Sequence, residues 1–222
     1  MNESSSRIYR IFEDINRNED RSKFIRLLIL IPSNWVFQGL FFMDWTERVF
    51  KISFTLIITV AITFIMNYNF SLLYSVIAAF MIAHTVNWTF NGGIFSLLKK
   101  FDLVHTKMTS IQKTIDGIRR TSELEPSIAR VLVYGSLARN TATEKSDIDI
   151  RIIRNPGVGN GVRSCYIAFR KRCGAFIHSV PLDLYVFDDS KSLRKMNASE
   201  EPIIIYDQKN QPLLGKALIV QK

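Results

Sequence analysis

Asp147 and Asp149 stand two residues apart inside the apolar stretch Asp147-Ile148-Asp149-Ile150. In an extended strand that spacing puts both carboxylates on one face. Two such groups on a rigid face repel unless a cation sits between them, and their oxygens suit Mg²⁺. Upstream, the apolar run Val131 to Tyr134 leads into Gly135-Ser136. Glycine permits a sharp turn and close approach to a ligand. Ser136 is expected to open the next helix as its N-cap, where free amides and the positive helix end attract phosphate. A phosphate cradle beside a carboxylate pair points to chemistry on a nucleoside triphosphate.

These residues belong to a longer pattern. Gly135-Ser136-x-Ala138-Arg139 followed by Ser146-Asp147-Ile148-Asp149 resembles the signature of the DNA polymerase β-like nucleotidyltransferase superfamily, and is most similar to the minimal nucleotidyltransferase domains of archaea and bacteria. Those domains usually carry glycine where this chain has Asn140, a residue that also tolerates a left-handed backbone. The resemblance implies a third carboxylate on a later strand, which Asp183 supplies within Val180–Phe187. It also likens Glu200–Asp207 to the closing strand of these domains. It covers roughly residues 121 to 210.

The resemblance implies an α+β domain, a mixed sheet with flanking helices, performing two-metal phosphoryl chemistry. Asp147, Asp149 and Asp183 would be the catalytic residues and the ligands of two Mg²⁺ ions. Gly135 and Ser136 would seat the β and γ phosphates, with Arg139 as a further phosphate contact. Arg139 reads equally well as a solvated helix residue.

The elements that must carry this site come next. Ile52 to Met66 holds no charge, Asn67-Tyr68-Asn69 interrupts, and Phe70 to Phe90 is again uncharged but for His84. At roughly 15 and 21 residues, the second run matches a spanning helix and the first is short. Lys51 can extend the first by snorkelling, with Tyr68 in the interface. The pair predicts a transmembrane hairpin over 51–93, set against the alternative of a buried soluble helix pair. Arg48 and Lys51 before it and Lys99 and Lys100 after it put both ends in the cytoplasm.

Residues 1–50 read as a cytoplasmic, interfacial segment. Its stretch Leu27 to Met43, broken at Pro32, Asn34 and Gln38, is expected to lie on the membrane rather than cross it. Met1 to Asp20 is polar and charged, unlike a signal peptide. His84, Asn87 and Asn91 form one helical stripe, either contacting acceptor headgroups or anchoring and capping the second span. Ile94, Leu97, Phe101, Val104, Met108, Ile111, Ile115 and Ile118 alternate steps of three and four, predicting a helical connector over 94–120. Its apolar seam either pairs with a second copy or packs on its own domain. The nucleotidyltransferase domain then occupies 121–222. Within it, Asn155–Gly161 reads as a mobile loop, followed by a basic helix whose Arg170-Lys171-Arg172 faces solvent, lipid phosphates or substrate.

The chain has 222 residues and a net charge of +9. Basic residues exceed acidic ones in both halves and flank the apolar runs, which suggests anionic lipid rather than nucleic acid as partner. Cys165 and Cys173 are eight apart in an expected helix, about 12 Å of rise. That is too far for a disulfide, and no Cys-His cluster suggests zinc.

The sequence therefore predicts a multi-pass membrane protein with a cytoplasmic, Mg²⁺-dependent nucleotidyltransferase domain, archaeal or bacterial by its resemblance. A membrane-linked glycan or lipid precursor is the favoured acceptor. The rivals are an antitoxin-like enzyme that nucleotidylates protein and a non-catalytic nucleotide-sensing scaffold.

Overall fold

The computed structural model describes residues 23–41, 43–91, 105–190, 193 and 201–209. Compactness divides the chain into two units, 1–42 and 43–222. The first contains helix α1 (Lys23–Phe37). Pro32 and Asn34 lie inside it rather than ending it, and the chain leaves the helix at Gln38, with φ +45°. Fifteen residues rise only about 22 Å.

The second unit opens with a helical hairpin, α2 (Trp45–Met66) and α3 (Leu72–Phe90), turned at Asn67–Asn69. Both helices are long and apolar enough to cross a membrane. Their packing is the reverse of a helix pair in water. Thr55, Thr59, Ser75, Ala79 and Ala83 are buried between them, one helical turn apart, so the backbones approach closely. The large apolar side chains point outward, with Phe64 85% and Val60 69% exposed. Thr55 and Thr59 hydroxyls donate to the carbonyls of Lys51 and Thr55, four residues back, which satisfies them without water.

Helix α4 (Met108–Glu123) leads into a four-stranded mixed sheet of order β3-β2-β1-β4. Strand β1 (Ile128–Tyr134) pairs antiparallel with β2 (Ile148–Arg154) and with β4 (Ile203–Asp207). Strand β3 (Leu182–Phe187) runs parallel to β2 after the crossover helix α6 (Val158–Ile177). A single helical turn, α5 (Gly135–Ala138), follows β1. Alternation fixes the core. Ile148, Ile150 and Ile152 meet Ile111, Ile118, Cys165 and Ala168 from α4 and α6, leaving Asp149 and Arg151 on the other face.

The connector seam is partly accounted for. Ile111 and Ile118 are buried in the chain's own core, with Ile115 packed against them. Ile94, Leu97, Phe101 and Val104 lie outside the described residues, as do Lys99, Lys100 and Glu200. The expected loop at Asn155–Gly161 is instead largely helix, since α6 begins at Val158 after Gly157 at φ +105°. Gly161 is needed inside that helix because a Cβ there would meet Thr46 Cγ2 at 2.7 Å.

That contact belongs to a broad junction between the hairpin and the sheet. β3 is an edge strand, and side chains complete its hydrogen bonds. Val186 N–H donates to Glu47 Oε2 (2.6 Å) and Asp188 N–H to Asp44 Oδ2 (3.0 Å), while Leu184 O accepts from Arg172 Nε (3.0 Å). Arg172 also pairs with Glu47, both fully buried, and donates to Asn91 Oδ1 at 2.9 Å. Arg172 thus faces neither solvent nor lipid nor substrate. Lys171 of the same expected basic face donates to Gly117 O at 2.8 Å. Lys51 does not snorkel: it is buried 3.6 Å from Glu47. Asn87 is buried and donates to Thr55 Oγ1 (3.0 Å), and Asn91 caps α3, so these two members of the polar stripe face inward rather than toward headgroups. His84 stacks on Phe80.

Candidate active site

The site is built where β1 ends and β2 begins. Tyr134 pairs with Asp149 across the two strands. Gly135 then turns the chain at φ +73°, a left-handed conformation that a side chain resists. A Cβ on Gly135 would stand 3.2 Å from Asp149 Cγ and overlap Oδ2. The bare α-carbon is therefore a condition for the Asp149 carboxylate to lie where it does.

Ser136 is not the N-cap. Tyr134 occupies that position in extended conformation, and the turn already includes Gly135. The Ser136 hydroxyl is instead buried inside the turn without a hydrogen-bond partner. A buried hydroxyl left unpaired costs about 1–3 kcal/mol, so this atom is suited to a ligand. Arg139 ends the turn, exposed. Asn140 adopts φ +57°, the left-handed position for which its residue type is suited. Thr143 N–H donates to Ser146 Oγ at 2.9 Å, which closes the loop before Asp147.

The parallel register sets Asp183 directly beside Asp149, and Tyr185 beside Arg151. Burial, then the Asp183 and Asp147 carboxylates, push the Asp149 carboxyl up to about 7, against the opposing pull of Arg151. Both neighbouring carboxylates thus act on Asp149. Arg151, which lies one period beyond Asp149 on the same face, enters the cluster too. Its Nη2 donates to Asp183 Oδ2 at 3.0 Å and lies 4.0 Å from Asp149 Oδ1. Its guanidinium rests over the Tyr185 ring at 4.9 Å. Lys51 and Arg172 approach the same ring from the junction at 5.6 and 5.9 Å.

Arg151, Tyr185 and the junction residues carry no motif. Arg151 could have been found by extending the period-two face by one step. Tyr185 needed the register of β3.

Asp147 and Asp149 offer hard oxygen donors, and the neighbouring carboxylates add to burial in raising the proton affinity of Asp149. These features fit a divalent cation. Among the described residues no group of three His, Cys, Asp or Glu side chains is gathered to hold a metal ion. Asp183 Oδ2 is engaged by Arg151 instead.

Residues 116–205 match the family model of the nucleotidyltransferase domain. The carboxylate cluster, the glycine turn, strands β1 to β3 and the start of β4 fall within that match, so this part of the chain is similar to a nucleotidyltransferase domain. No curated protein and no solved structure matches the chain.

Proposed function

We propose that the protein is a membrane-anchored nucleotidyltransferase whose catalytic face lies in the cytoplasm. The observation that carries this reading is the meeting, inside the matched domain, of Asp149 with Asp183 and Asp147 beside the side-chain-free Gly135.

Each residue then has a role. Gly135 leaves room for the Asp149 carboxylate at the turn where the triphosphate is seated. The Ser136 hydroxyl donates to a phosphate oxygen, which gives that buried atom its partner. Arg139, exposed at the mouth of the turn, contacts the phosphate tail. Asp147 and Asp149 would hold Mg²⁺, which supplies charge stabilisation at the phosphates and oxygens of the reaction. Asp183 orients the acceptor hydroxyl and accepts its proton. The acceptor oxygen bonds to the α-phosphorus as the bond to the bridging oxygen breaks and pyrophosphate leaves.

The hairpin serves as anchor. Its outward apolar faces and interior of small residues, with Thr55 and Thr59 bonded to their own helix, suit a bilayer. Arg48 in the first turn of α2 and Lys99 and Lys100 after the hairpin favour a cytoplasmic site. The α1 segment, with Pro32 and Asn34 inside it, suits the cytoplasmic leaflet. An anchored enzyme has its greatest advantage with an acceptor in the same leaflet, where confinement raises effective concentration. A lipid precursor or lipid-linked glycan is the acceptor class this favours.

The test is the fate of label from α-³²P nucleoside triphosphates supplied to native membranes. Label extracted with lipid supports the membrane acceptor. Label that stays with protein moves protein nucleotidylation ahead.

A further inference from the structure

We propose that Arg151 is a built-in counter-charge standing in place of a second metal ion, so that the site takes one divalent cation, on its Asp147–Asp149 side. The inference rests on the nucleotidyltransferase reading and concerns how the charge of that site is divided.

Arg151 is not a loose side chain that an incoming ion could push aside. Nη1 donates to the carbonyls of Ile150 and Asp183, each at 2.9 Å, and Nη2 to Asp183 Oδ2 at 3.0 Å. The side chain is 9% exposed and lies on the Tyr185 ring. Guanidinium keeps its charge at any working pH. A second dication bridging Asp149 and Asp183 would have to settle against this fixed cation.

Charge bookkeeping agrees. Asp147, Asp149 and Asp183 against Arg151 leave two formal negative charges, fewer once Lys51, which also acts on Asp183, is counted, so one divalent ion suffices. The expectation of two ions drew on the family resemblance and the three carboxylates it implies. With the guanidinium included, Asp183 already has its cation, and Arg151 acts as a positioning residue that holds Asp183 toward the acceptor side.

A purely structural ion pair would behave differently. Removing a structural arginine loosens the site and weakens any metal binding. Removing a competing cation strengthens it.

The experiment counts Mn²⁺ bound by the full chain in detergent, from the loss of the free-ion EPR signal. Wild type is expected to bind one ion per chain at saturation. Arg151→Gln should bind Mn²⁺ more tightly, by about tenfold or more, while Arg151→Lys keeps the wild-type affinity. Two ions in wild type would overturn the inference and leave the metal-dependent reading standing. No ion in wild type would overturn both. Unchanged or weaker binding in Arg151→Gln with a normal thermal melt would also overturn it. Should that variant fail to fold, the wild-type count decides.

Discussion

The α-carbon of Gly135 lies against the carboxylate of Asp149, so closely that a methyl group at residue 135 and Oδ2 of Asp149 would occupy the same space. Two motif halves, fourteen residues apart in sequence, are thus one steric unit. The antiparallel pairing of Tyr134 with Asp149 brings them together.

Gly135→Ala should therefore remove activity without unfolding the protein. The left-handed backbone adds about 1 kcal/mol of strain, a modest loss against displacement of Asp149 from its place. Transfer should fall by about 100-fold or more, as when a catalytic group is misplaced by about 1 Å. Circular dichroism should remain that of wild type.

Asp149→Asn should separate stability from function. In protein stripped of divalent ions, Asp149 is half-buried beside two other carboxylates, which add to the cost of its charge. The amide relieves that cost, so the metal-free melting temperature should rise while transfer is lost. Asp147→Asn should also lose transfer. A melt lower than wild type in Asp149→Asn would contradict the electrostatic account of the cluster.

Glu47 tests the junction. It accepts from Val186 N–H and pairs with Arg172, both buried. Glu47→Ala leaves a buried guanidinium uncompensated, a loss of about 3–5 kcal/mol. Denaturant titration of the full chain in detergent should show it as a lower midpoint. The same contacts mean that a fragment beginning at residue 99 lacks the side chains that complete the edge of β3. Its instability, rather than distance from an acceptor, should dominate its loss of activity.

Topology can be read with single cysteines in a background of Cys165→Ser and Cys173→Ser. Position 67, exposed in the hairpin turn, should react with an impermeant maleimide on intact cells. Position 190, exposed beyond β3, should react only after lysis. Labelling at 190 in intact cells would reverse the orientation.

The local part of this fold was legible in the sequence. The strand, the glycine turn, the carboxylate pair and Asp183 follow from period-two alternation and from residues whose conformational demands are narrow, as Gly135 and Asn140 illustrate. The hairpin was legible from the absence of charge. What was hidden depends on partners distant along the chain. Arg172 reads as one of three surface cations until Glu47, 125 residues away, is placed beside it. Lys51 reads as a snorkelling flank until Tyr185 and Glu47 bury it. Gly159 and Gly161 read as loop because the close approach of Thr46, which calls for glycine at 161, is a tertiary fact.

The central claim is nucleotidyl transfer at the Asp147–Asp149 pair. The most direct measurement gives wild-type and Asp149→Asn membranes each of the four triphosphates, labelled separately at the α and γ phosphates. With one triphosphate at least, wild type should attach α label to an acceptor and release γ label as pyrophosphate, and Asp149→Asn should do neither. Release of γ label as inorganic phosphate without α transfer, or equal transfer by the two proteins, would contradict the account.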